Sequence, residues 1–438
     1  MALSSLVISG SAWLLGVRLI NRLLGAVQLF ILARMLVPDE FGLFAIASMT
    51  LLGFDVLTRT GFDDAIIYKR GDVESYLHTA FVIQALRGLL LAALVVISAP
   101  YVASFFNEPL AAKVISVLAL VQIIRGFRSL GVVMFARDIN FRSESLYLTT
   151  GNVVTVVTTV LLAWKLRNVW CLIYGAIIGE LWLTVYSYFV HSYRPRLLFS
   201  IEKAKELVKF GVWLFLSGIV SYISLQADNL AVGKLLSTEM LGIYYMAFRI
   251  ANLFVEEVSK PIGRVLQPAY ATLQDKPERL QLALEKALSV FLVIITPVAT
   301  FLMGSAWVTI PVVLGDKWIG VTEVFPILVL GALFRGFAGV SRGFFVGTGK
   351  PRTVFWLEAV RAASLLLAMY PLFLCCGMNG IAWASTISSA LKLVLVVVLL
   401  LSVIRIAHFL KAEVVPMGLA ICAMTSVLML ESTVLSPT

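Results

Sequence analysis

Apolar runs of membrane-crossing length alternate with short polar breaks along this chain. A helix needs about 20 apolar residues to cross the hydrocarbon core. Runs of that kind lie near residues 10–35, 41–58, 76–105, 112–135, 144–164 and 169–190, then near 209–235, 241–267, 288–314, 321–346, 353–376 and 380–404. A shorter run covers 415–431. The pattern predicts an all-α polytopic membrane protein with twelve spans in two sets of six, plus a thirteenth, C-terminal helix.

The two sets read as copies. Residues 11–42 reappear at 211–242, with Trp13 on Trp213, Leu36 on Leu236, Gly42 on Gly242, Arg34 on Lys234 and Asp39 on Glu239. Further on, Arg125-Gly126-Phe127 returns as Arg335-Gly336-Phe337, Phe135 as Phe345 and Arg142 as Arg352. A period of about half the chain predicts two pseudo-symmetric six-helix lobes around a central cavity, not a solenoid. Six spans per lobe is an even number, so both lobes enter from the same side. The expected division is 1–205 for the first lobe, 206–412 for the second and 413–438 for the extra helix.

Composition sharpens this picture. Of 438 residues, 60% are hydrophobic and 14% charged, against roughly 45–50% and about 25% in soluble domains. In a membrane protein the net charge of +10 is a question of which loops carry it, not a nucleic-acid signature. With a cytoplasmic N-terminus, the inside connections hold Arg59, Lys69, Arg70, Arg137, Arg142, Arg194, Arg196, Lys203, Lys205 and Lys209 in the first half alone. The outside connections of the whole chain hold Arg34, Lys113, Lys165, Arg167, Lys234 and Lys317. That asymmetry places the N-terminus inside. The most basic stretch, near 192–208, links the lobes, and its Ile201–Lys209 part is expected to form a surface helix.

Candidate chemistry is sparse. Cys171, Cys375, Cys376 and Cys422, with His78, His191 and His408, are too scattered for a metal site, and Cys375-Cys376 reads as a pair of small core residues. No Gly-rich phosphate loop precedes Lys-Ser/Thr, no basic leader opens the chain, and no loop is long enough for a soluble catalytic domain. The longest connections are expected near 59–75 and 268–287. Catalytic residues, a metal and an organic cofactor are therefore not expected, and energy would come from a proton, sodium or substrate gradient.

Polar residues inside the spans carry the functional reading, because intramembrane charge is costly and faces a cavity or a partner. Span one holds Arg18 and Arg22 on one helical face with Asn21, Gly25 and Gln28. Two central arginines cost roughly 5–7 kcal/mol, while about twelve strongly apolar residues contribute roughly 4–7, so this face suits a wet cavity. Span seven repeats the design with Ser217, Ser221, Ser224 and Asp228; span eight has Arg249, Asn252 and Glu256, with Glu257 and Lys260 beside them. Arg18, Arg22, Asn21, Gln28, Arg249 and Asn252 are the predicted substrate-binding set. Asp228 leads the ion-coupling candidates, ahead of Glu256, Glu257 and Glu180. Arg125, Arg128 and Arg335 read as anchors near helix ends, Asp55 is ambiguous, and Glu358–Arg361 reads as an intrahelical ion pair. Arginine forks with Asn, Ser, Gln and Tyr nearby suit an anion bearing phosphate and sugar.

The span ending in Ala33–Ala45 (ARMLVPDEFGLFA) and the 335–352 stretch (RGFAGVSRGFFVGTGKPR), with Pro268, also resemble a known family. They are similar to Wzx-type polysaccharide flippases of the multidrug/oligosaccharidyl-lipid/polysaccharide exporter superfamily, in the colanic-acid and teichuronic-acid exporter branch. The resemblance implies a V-shaped bundle that opens alternately to either side, with an undecaprenyl-pyrophosphate-linked oligosaccharide as cargo, in the bacterial inner membrane. It also implies lipids around the chain, and a polysaccharide polymerase and glycosyltransferases as partners. The competing readings are a lipid II flippase, a drug/cation antiporter of the same superfamily and a membrane-embedded enzyme.

Overall fold

The protein's computed structural model describes residues 2–58, 74–138 and 140–401, without the side chains of 2–15, 18, 74–75, 136, 141, 203–217, 260 and 264–265. The predicted thirteenth helix lies outside the described residues. Contacts divide the chain into two compact units, Met1–Tyr222 and Ile223–Thr438. In the first half, α1 (Ala2–Met35) and α2 (Pro38–Leu57) are followed by α3 (Glu74–Phe106). A fourth span is split into α4 (Pro109–Leu118), α5 (Leu120–Gly126) and α6 (Gly131–Arg137), and then come α7 (Phe141–Leu166) and α8 (Trp170–Val190). In the second half, α9 (Ile201–Leu235), α10 (Thr238–Thr272), α11 (Pro277–Gly304), α12 (Ala306–Leu314), α13 (Val321–Gly347) and α14 (Pro351–Leu400) follow.

Among the described residues, eight helical segments are long and apolar enough to cross a membrane by length and composition. They do not include α1, α9 or α10. These three are long enough to span, at 34, 35 and 35 residues.

The repeat is visible in the helix breaks. α1 gives way to α2 at Leu36-Val37, and α9 gives way to α10 at Leu236-Ser237, two hundred residues on. The same break is built with different chemistry. Val37 is extended and Pro38 opens the next helix with its φ already set. Ser237 is extended too, and its hydroxyl caps the Met240 N–H at 3.2 Å.

The fourth spans of the two lobes diverge. A Cβ on Gly88 would stand 2.9 Å from the Gly126 Cα, so α3 and α5 touch backbone to backbone. Immediately afterwards the helix stops, because its end carbonyls have other donors. Gln84 Nε2 reaches the carbonyls of Arg125, Gly126 and Arg128 at 3.2, 3.1 and 3.0 Å. Tyr188 donates to the Phe127 carbonyl at 2.7 Å, and Ser187 accepts from Ser129 N at 3.0 Å. In the second lobe Gly336 instead meets Val255 and Phe291, and α13 runs unbroken. Four residues before Phe291 stands Ala287, which has no donor to offer, whereas four before Gly88 stands Gln84.

α14 is a hairpin and not one rod. Gly377 has φ 57° and ψ −131°, a backbone that disfavours side chains. Glu358 and Lys392 are 2.5 Å apart; 34 helical residues would separate them by roughly 51 Å. The arms 351–376 and 378–400 are thus spans eleven and twelve.

Several expectations are corrected. The connection expected near 268–287 is only Leu273–Lys276, because α10 reaches Thr272 and Pro277 opens α11. The expected surface helix at 201–209 is the first part of α9, which continues without a break to Leu235. Cys375 and Cys376 are exposed at the hairpin turn, not packed in a core.

Candidate functional site

In the second lobe the polar stripes of α9, α10, α13 and α14 meet in one buried network. Asp228 is completely buried. Its Oδ2 accepts from Tyr244 Oη at 3.1 Å and from Ser385 Oγ at 2.9 Å, and its Oδ1 accepts the Asn229 backbone N–H at 2.9 Å. Arg335 donates through Nε and Nη2 to Asn252 Oδ1 at 3.3 and 3.1 Å and through Nη1 to Ser389 Oγ at 3.4 Å. Its guanidinium lies 5.2 Å from the centre of the Phe248 ring, a cation–π distance. Arg361 is 2% exposed; it gives Nε to Ser389 Oγ at 3.3 Å, while its Nη2 is buried without a partner. Charge compensation is indirect: Glu358 and then Asp228 act on Arg361 through space, and Asp228 acts on Arg335. Glu358 makes its expected pairing with Arg361 on its own helix only through space, without a direct contact. It takes Lys392 from the facing arm instead, because the hairpin brings that ammonium directly opposite.

Two ion-pair groups stand out among the described residues of the first lobe. Arg87 on α3 closes the end of α2, donating Nη2 to Asp55 Oδ1 at 2.7 Å and Nε to the Thr58 carbonyl at 2.8 Å. Beside it, Glu180 on α8 takes Arg125 at 3.4 Å and is also hydrogen-bonded by Arg128, whose guanidinium faces the Tyr147 ring. The repeat maps Arg125 onto Arg335. Where the first lobe answers with Glu180 from its sixth span, the second answers with Ser389 from span twelve and Asn252 from α10.

The predicted substrate residues are divided between the two units, and each is described within its own. Arg18 lies outside the described side chains. Arg22 and Arg249 are exposed on their respective lobes. Asn21 is half-buried and engaged inside its lobe, donating to Thr149 Oγ1 at 2.8 Å and accepting from Asn152 Nδ2 at 3.0 Å. Asn252 supports Arg335, and Gln28 is half-buried. Of the coupling candidates, Asp228 and Glu180 are buried with the partners just named, and Glu256 and Glu257 are half-buried on α10. Residues missed by sequence reasoning are Gln84, Tyr244, Ser385 and Ser389. The signal for the last two was available in Ser385-Thr386-Ile387-Ser388-Ser389, a polar cluster inside an apolar run.

Comparison with known proteins places this architecture. The profile of a family described as "Polysaccharide biosynthesis protein" matches residues 31–323. The lipopolysaccharide biosynthesis protein WzxC of Escherichia coli (strain K12) is 27% identical over 345 residues, covering 76% of this chain and 68% of that protein. The succinoglycan biosynthesis transport protein ExoT of Rhizobium meliloti (strain 1021) is 25% identical over 337 residues, with the same shares covered. Among solved structures, the lipid II flippase MurJ in an inward closed conformation superposes with a TM-score of 0.78 at 16% identity, over 96% of this chain and 93% of that one. The two-unit helical fold is therefore shared with a solved flippase, and the chain belongs to the polysaccharide biosynthesis protein family of membrane proteins.

Proposed function

We propose that the protein flips an undecaprenyl-pyrophosphate-linked oligosaccharide across the bacterial inner membrane by alternating access of its two lobes, with its N-terminus in the cytoplasm. The observation that carries this reading is the family match over residues 31–323, joined by relatives named for lipopolysaccharide biosynthesis and succinoglycan transport. The physical support is a cationic polar content where a lipid-compatible protein would carry none. Arg18, Arg22 and Arg249 hold the cargo's pyrophosphate, since a charge-assisted arginine–phosphate contact outweighs a neutral hydrogen bond to sugar. Cargo must bind both inward and outward states, because a ligand favouring one would trap it.

Asp228 is the coupling residue for a proton or sodium ion, ahead of Glu256, Glu257 and Glu180; no other cofactor is invoked. Glycosyltransferases supply the cargo on one side and a polymerase consumes it on the other. Deleting the gene is expected to abolish one surface polysaccharide while its lipid-linked repeat unit accumulates in the cytoplasmic leaflet. Unchanged surface polysaccharide with no accumulated precursor would refute the reading.

A further inference from the structure

Arg125 and Arg128 are left over from the second lobe's design. The repeat counterpart of Arg125, Arg335, is sealed between Asn252, Ser389 and Phe248. Arg125 is not sealed. Its side chain is 47% exposed, although the Glu180 it touches is only 9% exposed. Both contacts to that carboxylate are long, at 3.4 Å. Arg128 adds a second guanidinium to the same carboxylate, and its Nε is buried with no partner. Two cations therefore share one anion, since the other acid of this lobe's pairs, Asp55, is bonded to Arg87. The cluster keeps a net positive charge and unused N–H donors.

Its depth follows from packing. α2 has 20 residues, about 30 Å, which is the hydrocarbon thickness, so its ends mark the two boundaries of the core. Arg87 binds Asp55 and Thr58 at one of those ends. Gly88, the next residue, touches Gly126, the residue after Arg125. Arg125 thus sits within about one helical turn of that boundary, at the level where a lipid's phosphate lies. Gln84 holds the backbone there by binding three carbonyls around the helix interruption.

We infer that Arg125 and Arg128 form a phosphate-binding fork that takes the pyrophosphate of a polyprenyl-linked cargo at the cytoplasmic headgroup level, with Glu180 as the positioning acid. The inference rests on the function proposed above and adds a loading site within the first lobe. Guanidinium groups present planar pairs of donors that match phosphate oxygens, and a buried acid between them fixes their spacing while leaving charge to spare.

The test uses the full chain in phosphatidylcholine nanodiscs, with bound lipid read by native mass spectrometry. Undecaprenyl pyrophosphate, undecaprenol and phosphatidylglycerol are offered in separate arms. The wild type is expected to retain undecaprenyl pyrophosphate over both others, and Arg125→Gln/Arg128→Gln to weaken that retention by about tenfold or more. Glu180→Gln is expected to strengthen it, because the acid competes with the phosphate, whereas a purely structural ion pair would give no gain. Should the double variant not fold, Arg125→Gln alone, at the half-exposed position, carries the same comparison. A folded variant that binds like the wild type overturns this inference and leaves the proposed function standing. Equal retention of phosphatidylglycerol makes the cluster a general interfacial anchor and also overturns it. A wild type with no preference for pyrophosphate over undecaprenol removes the proposed function itself.

Discussion

Arg335 donates to Asn252 and Ser389 inside the second lobe, so its loss strips the Asn252 carbonyl oxygen of its two guanidinium donors and removes a buried charge near Asp228. Arg335→Ala is expected to destabilise the lobe by about 3 kcal/mol, the scale for breaking a buried charged contact. Thermal unfolding of the purified protein measures this, and an unchanged midpoint would contradict it. Asp228→Asn separates two roles for the same carboxylate. Asparagine keeps an acceptor for Tyr244 and Ser385 but cannot carry the charge. Transport is therefore expected to lose its ion dependence while the melting point falls only slightly; unaltered ion dependence in reconstituted vesicles removes the coupling role. At this scale the sequence disclosed which residues are polar within the membrane but not whom they meet. Ser385 and Asp228 are 157 positions apart, and no periodicity within one helix encodes that encounter. The direct Glu358–Lys392 contact was hidden for the same reason, since the spacing to Arg361 along one helix was visible and the opposing Lys392 was not.

Helices show the same divide between local and tertiary causes. The Leu36-Val37 and Leu236-Ser237 breaks were legible because Pro38 and Ser237 act on their own backbone. The turn between spans eleven and twelve was legible because the apolar run weakens at Gly377-Met378-Asn379-Gly380. The interruption of span four was not legible, because its carbonyls are satisfied by Gln84 from another helix. Gln84→Ala is accordingly expected to cost about 1 kcal/mol, the net scale for a lost hydrogen bond at partly exposed carbonyls. Hydrogen exchange should then rise at residues 124–130 more than elsewhere in the lobe. Uniform exchange across α3 and α5 would show that Gln84 is not what holds the break.

For the whole molecule, the twofold repeat, the family and the all-helical architecture could be read before any coordinates. Two anchors repeated at offsets of 200 and 210 residues and the Leu-x-Pro-x-Glu-Phe-Gly turn survive in local sequence. Orientation is tested by single cysteines in a cysteine-free background, probed in intact cells with an impermeant thiol reagent. Position 239 is expected to label and position 203 not to; the reverse pattern would invert the topology. Restoring Cys375 and Cys376 should add label on the same side as 239, since their hairpin turn joins spans eleven and twelve. Flipping itself is the central claim, and it is measured most directly in proteoliposomes holding the purified protein and the lipid-linked oligosaccharide extracted from the deletion strain. An impermeant sugar-specific enzyme reads the fraction of cargo in the outer leaflet. With the wild type, the protected inner-leaflet pool is predicted to become accessible with time, and with a folded Arg18→Ala/Arg22→Ala/Arg249→Ala variant it is predicted to stay protected. A protected pool that persists beside correctly folded wild-type protein under an imposed proton or sodium gradient would contradict the account.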